Sequence, residues 1–338
     1  MQERQTLLEL AAHHRLAPAQ AKQLLQLAGL SSEPAALARW LPRGVAVLAA
    51  ALGGLGLVMW IAANWETLGR FGRFGLLQAL VLVAGVGAAA RVQARAPLAL
   101  LALLGTGALF AYFGQTYQTG ADAWQLFALW AVLALPLCLG ARSDVLWTPW
   151  ALVAMTAIAL WTHTHSGHRW SVEPQQLSVH LVAWAAALVL VGAVSPALQR
   201  CSGAGVWAFR TAVVLAVLAF TGSALGALFH RPVAPHYALG VLLLGASAAA
   251  LSLRRTFDVM ALSAVTLGLN ALLVCGLVRW LSRHDAGGDW IGRLLLVGLF
   301  AAGLLSTSVS AILRLGRHYT PSPAPAPGAA LNAAGDHA

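Results

Sequence analysis

The stretch GVAVLAAALGGLGLVMWIAA, residues 44–63, runs for twenty positions without a charged or amide side chain. A bilayer core roughly 30 Å thick is crossed by about 20 residues of helix. Backbone groups inside hydrocarbon must bond to one another, which a helix does within a single segment. The stretch therefore predicts a membrane-spanning helix, and it decides the fold class. Nine further apolar runs follow, near 75–90, 97–114, 123–140, 145–161, 177–195, 210–229, 237–253, 259–278 and 291–313. The expected fold is all-α: a polytopic transmembrane helix bundle of about ten spans, preceded by a small helical cytoplasmic segment.

Composition agrees. Of 338 residues, 59% are hydrophobic and 9% are charged, against about 25% charged in soluble domains. Mean hydropathy is +0.74. These values exclude a water-soluble enzyme, a disordered chain and a disulfide scaffold. Net charge is +10, but the basic residues are scattered between apolar runs, so no nucleic-acid partner is expected. Cys138, Cys201 and Cys275 are far apart and form no metal-binding or disulfide pattern. The first apolar run starts too late for a cleavable signal peptide, so it is expected to stay as an anchor.

The charges choose an orientation. Ten spans place both termini on one side. With the amino terminus inside, fourteen Lys and Arg fall in inner segments and seven in outer ones. This bias predicts cytoplasmic termini. The last outer loop, with Arg279, Arg283 and Arg293, fits the bias least. Indole rings favour the membrane interface, so belt positions are expected for most of the tryptophans, including Trp60, Trp280 and Trp290 outside and Trp147 and Trp207 inside.

The expected organisation has five parts. Residues 1–42 form an amphipathic helical cytoplasmic segment, whose last piece, from Ser32 through Trp40, lies on the inner surface. Residues 43–161 hold spans one to five, and 162–176 an outer histidine-bearing loop. Residues 177–314 hold spans six to ten, and 315–338 a disordered tail rich in Pro and Ala. LGTGAL at 104–109 resembles LGLNAL at 267–272, which raises an internal repeat relating spans one to four to spans seven to ten.

Polar chemistry collects in three places. Asn64 and Trp65 close span one, and Gln115, Tyr117, Gln118, Asp122 and Trp124 lie between spans three and four. At membrane depth such amides need hydrogen-bond partners. These residues form either a small outward-facing polar site or a plug joining two hairpins, with Asn64 and Gln115 as mutual partners or partners of loop backbone. The third place is the loop with His163, His165 and His168, whose imidazoles are metal candidates by spacing, although no Cys accompanies them. His230, His236 and His284 also fall in outer loops. His180 is read as an interhelical hydrogen-bonder and Asn270 as a second mid-span polar group. Gly222 and Gly226 form a GxxxG face suited to bundle packing or a homo-oligomer.

No nucleophile, zinc or phosphate-loop motif occurs, and no cofactor is expected. No Asp, Glu, Lys or Arg lies mid-span, which argues against ion-coupled transport. The leading expectation is a non-catalytic binding or scaffold component, with the lipid bilayer and another membrane or envelope protein as partners. A transporter of a small polar solute is the alternative. A membrane enzyme acting on lipid or envelope precursors, using Asp122, Glu173 and the loop histidines, comes third.

Two blocks carry a family resemblance: GLGLVMWIAANWETLGRFGRF (54–74) and GQTYQTGADAWQLFALWAVLALPL (114–137). They resemble a bacterial predicted-membrane-protein family catalogued as domain of unknown function 2157. The matching positions are Ala63, Asn64, Trp65, Gly114, Gln115, Tyr117, Gln118, Asp122, Leu126, Trp130 and Pro136, and the likeness extends over about residues 1–160. It implies an inner-membrane protein and carries no substrate or catalytic residue with it.

Overall fold

The computed structural model describes residues 2–14, 16–28, 35–64, 69–117, 120–167, 172–283 and 290–319. Among them the structure is helical, with no strand. Two short helices, α1 (Gln2–His13) and α2 (Pro18–Leu27), pack on each other. The apolar helices follow: α3 (Ala35–Ala63), α4 (Arg70–Ala90), α5 (Arg95–Tyr117), α6 (Ala123–Ala141), α7 (Asp144–His165) and α8 (Leu177–Ala193). After a short turn of helix, α9 (Gln199–Ser202), come α10 (Val206–Leu228), α11 (Pro235–Leu251), α12 (Val259–Arg283) and α13 (Trp290–Tyr319).

Among the described residues nine helices are long and apolar enough to cross a membrane. The tenth expected span, α11, is apolar but has 17 residues. The bundle of about ten spans is thus present, with its short member at the eighth position. The second and fifth apolar runs looked short in sequence because the helices continue past them, to 21 residues in α4 and 22 in α7. The Ser32–Pro34 helix start and the tail from Thr320 lie outside the described residues. Residues 35–40 do not form a separate surface piece. They continue directly into the first span, with Pro42 inside the same helix.

The helix ends have local causes. Arg142 takes a left-handed conformation (φ 48°) that stops α6. Ser143 then caps α7, its hydroxyl accepting from the Val145 N–H at 3.3 Å. Four residues thus suffice to reverse the chain between two spans.

Asp144 does more than start α7. Its carboxylate accepts from the N–H groups of Gly205 (2.8 Å), Trp207 (3.1 Å) and Ala208 (3.2 Å). Those are orphan donors of the first turn of α10, which no earlier carbonyl reaches. At the same end Arg142 donates to the Arg200 carbonyl and the Trp147 indole to the Ser202 carbonyl. Arg210 grips Asp258 in a fork, with Nη2–Oδ2 at 2.8 Å and Nε–Oδ2 at 3.1 Å. Burial opposes ionisation of Asp258, but the Arg210 guanidinium and the Ala261 N–H outweigh it and hold the carboxyl below its ordinary range.

The core lies around α10, which packs on α7, α8, α11 and α12. Its centre is built from small residues: Ala208, Ala212, Ala216, Ala224 and Ala227 are all buried. Lipid offers no hydrophobic drive between helices, so close approach and dispersion hold them together. α3 and α13 are peripheral: only 6% of the apolar window in each is buried. Most of their surface faces outward, as suits a helix facing lipid.

Tryptophan does two jobs here. Trp60, Trp207, Trp280 and Trp290 are exposed, in line with belt positions. Trp147 is not a belt residue: it is buried and edge-on to Trp150 at 5.0 Å. Trp130 and Trp150 likewise donate across helices, to the Leu103 (3.0 Å) and Ala131 (2.8 Å) carbonyls. In a low-dielectric bundle an indole N–H needs such a partner.

The suspected repeat has a structural counterpart. α3 packs on α5, α4 on α5 and α5 on α6; α10 packs on α12, α11 on α12 and α12 on α13. Gly107 of α5 meets the Trp130 ring of α6. The equivalent Asn270 of α12 bonds Ser308 of α13 at 3.0 Å. The halves differ in that α10 also packs extensively on α11.

Candidate functional site

The end of the bundle opposite Asp144 gathers the sequence-predicted polar residues. α5 and α6 reach it through Tyr117 and Ala123. Gln115 is exposed on the last turn of α5. With Gly114, Gly120, Ala121 and Leu126 it lines a shallow cavity of about 370 Å³. Gly114 packs closely there: an added Cβ would lie 3.0 Å from Leu126 Cδ1, which would have to give way slightly. Gly120 makes the turn with φ +68°, a conformation that side chains resist.

Tyr117 anchors an aromatic cluster. Its ring lies 5.8 Å from Phe74 and 4.9 Å from Phe113. The Arg70 guanidinium stands 5.9 Å from the same ring, a cation–π arrangement. Phe74 also meets Tyr112 at 4.5 Å. The start of α4 is thus locked to the end of α5. Asp122 sits half-buried at the N-cap of α6, its carbonyl accepting from the Gln125 N–H at 3.0 Å. Asn64 caps the end of α3: its amide donates to the Trp60 carbonyl at 2.9 Å rather than to Gln115. Trp65 and Gln118 lie outside the described residues.

Trp124 connects this cluster to the histidine segment. Its ring is 6.1 Å from His165, and its buried indole nitrogen has no hydrogen-bond partner among the described residues. His165 stacks on Trp161 at 4.4 Å, with Nδ1 at 2.8 Å from the Trp161 carbonyl. The His163 carbonyl accepts from the Ser166 hydroxyl. His163 and His165 therefore belong to the last turn of α7, not to a free loop, and His168 lies outside the described residues. Among the described residues no three His, Cys, Asp or Glu side chains come together as a metal-ligand group.

A second cluster escaped the sequence reading. His236 was expected in an outer loop, but Pro235 starts α11 and places His236 in its first turn, fully buried. Neither ring nitrogen has a hydrogen-bond partner among the described residues. Its ring meets His180 edge-on at 4.8 Å. His180 bonds within its own helix end, Nδ1 to the Gln176 carbonyl at 3.1 Å, instead of across helices. It also borders a cavity of about 490 Å³ with Thr162, Trp184 and Ser223. The Pro at the helix start was the available signal. Pairing with a residue 56 positions earlier was not readable from sequence.

The GxxxG pair splits in use. Gly226 is covered by Val172, whose Cγ2 would stand 2.9 Å from an added Cβ, whereas Gly222 has open space beside it.

No curated protein and no solved structure is significantly similar to the chain. A family model does match, over residues 8–147. The matched segment contains both blocks that carry the resemblance, and it ends at Trp147, close to the start of α7. Residues 8–147 are thus similar to the family described as "Predicted membrane protein (DUF2157)", and the chain is a membrane protein built of several apolar helices.

Proposed function

We propose that the protein is a non-catalytic binding or scaffold component of the bacterial inner membrane, with both termini cytoplasmic. Its docking site is the outer-face cluster of Asn64, Trp65, Gln115, Tyr117, Gln118, Asp122 and Trp124. The supporting observation is the cavity lined by exposed Gln115 with Gly114, Gly120 and Leu126, at the ends of α5 and α6 and outside the alanine-rich core. An exposed amide on the last turn of a packed helix presents hydrogen-bonding groups at low entropic cost. The partner class is another membrane or envelope protein. Gly222 remains the point on α10 where a second copy could approach.

The test is photo-crosslinking in native membranes from a probe amino acid at Gln115. One discrete protein adduct is expected, and it should vanish in Tyr117→Ala protein that keeps its melting temperature. If the adduct survives Tyr117→Ala, or matches one obtained from lipid-facing Leu267, the docking reading fails.

One observation favours a second reading, transport of a small polar solute. Buried His236 meets His180 edge-on, and His180 borders the 490 Å³ cavity. A solute that changes thiol labelling of Ser223→Cys would support it.

A further inference from the structure

Arg279 and Arg283 line one cavity where α12 ends, and Arg231 follows His230, whose carbonyl Arg279 bonds. Arg279 and Arg283 are one helical turn apart on α12 and share a face. Arg231 comes from the α10–α11 link. It and Arg283 are both close enough to act electrostatically on Arg279. None of the three has a carboxylate partner among the described residues; the fork described above joins Arg210 to Asp258 at the other end of the bundle. Among the described residues Arg279 makes one bond, Nη2 to the His230 carbonyl at 3.2 Å, and its buried Nε has no partner. Like charges gathered near a membrane repel, and an unpaired buried donor is costly. Both penalties disappear when an anion with several acceptor oxygens sits among them.

The surroundings say what kind of anion fits. Arg279 and Arg283 line a cavity of about 410 Å³ whose remaining walls include Leu228, Val233, Leu273 and Leu277. Exposed Trp280 stands at its edge, as an interfacial residue would. The inner wall is firm. Tyr237 donates to the Leu272 carbonyl at 3.0 Å, and its hydroxyl covers Gly276, where an added Cβ would lie 2.1 Å from it. A cationic rim above apolar walls, at the ends of spanning helices, matches an amphipathic anion. We propose that Arg231, Arg279 and Arg283 bind the phosphate of an anionic phospholipid, whose acyl chains run along the leucine wall. The site does not depend on which leaflet it faces. It also gives a reason for two of the three Arg, Arg279 and Arg283, in the outer segment that fits the charge bias least.

The test uses the purified full chain in a nonionic detergent, titrated with dioctanoyl phosphatidylglycerol. Dioctanoylglycerol and inorganic phosphate are the comparison probes. The phospholipid is expected to raise the melting temperature saturably, with little effect from either comparison probe. Arg279→Gln/Arg283→Gln should weaken apparent binding at least about tenfold, and it should not melt lower than wild type without lipid, since repulsion is relieved. Arg231→Gln, a loop change that leaves α12 intact, should weaken binding several-fold. Arg314→Gln at the opposite end should leave it unchanged. Equal shifts with dioctanoylglycerol, a full shift with phosphate alone, or unaltered binding in the Arg231 variant would each overturn the proposal.

Discussion

Asp144→Ala protein will melt far below wild type, and the loss will originate in α10 rather than α7. One carboxylate serves three N–H groups of a helix that begins 62 residues later. Removing it leaves those donors facing a partly buried junction with no replacement acceptor. Loss of a single N-cap costs about 1 kcal/mol, and each hydrogen bond to a charged group contributes about 1.5–3 kcal/mol. A loss of roughly 3 kcal/mol is therefore expected for the variant. Space alone does not rescue it, because Gly205 already sits where an added Cβ would lie 2.3 Å from the Asp144 oxygen. Asp144→Asn keeps one acceptor oxygen and should recover part of the stability. Melting in detergent, followed by tryptophan fluorescence, measures both. Wild-type melting in the alanine variant would show that solvent or lipid headgroups satisfy α10 unaided.

Gly107→Leu is expected to be at least as damaging. An added Cβ would come within 2.4 Å of the Trp130 ring, which no real contact tolerates. The indole would have to leave, and with it the bond from Trp130 Nε1 to the Leu103 carbonyl. Overpacking usually costs about 1–3 kcal/mol, and a severed hydrogen bond inside a bundle adds about 1 kcal/mol. Gly53→Leu is the control: it lies on a peripheral helix with open space at its Cβ, and helix propensity should favour the change. Monodisperse yield on size-exclusion chromatography distinguishes them. Equal yields for the two variants would mean that α5 and α6 are not closely packed at Trp130.

These two residues also show how far sequence alone reached. The ten apolar runs marked the helices because hydrocarbon enforces length and composition locally. The break between the runs ending at 140 and starting at 145 marked the turn for the same reason. What Asp144 does was hidden, because its partners begin at Gly205 and nothing near Asp144 announces them. Trp147 looked like a belt residue by its position at a span end. Only the packing of α7 against the α9–α10 junction makes it an interior donor. Gly107 was visible as part of a repeat motif, but the indole that needs the missing Cβ lies on another helix. At the candidate site, the sequence singled out Gln115 and Tyr117, but the Phe74 and Arg70 beside Tyr117 come from α4, over forty positions earlier. The contact of Trp124 with His165 and the pairing of His180 with His236 depend on helix order and face, which periodicity does not encode in helices that are apolar all round.

Sidedness tests the reading most directly. Cys201 is exposed beside Arg200, at the end of the bundle that holds Asp144. Gln115 is exposed at the opposite end. In a background lacking Cys138 and Cys275, a membrane-impermeant maleimide applied to intact spheroplasts should label Gln115→Cys and leave Cys201 untouched until the cells are lysed. Labelling of Cys201 in intact spheroplasts would contradict the orientation. Labelling of both positions from one side would contradict the order of crossings on which the outer-face site depends.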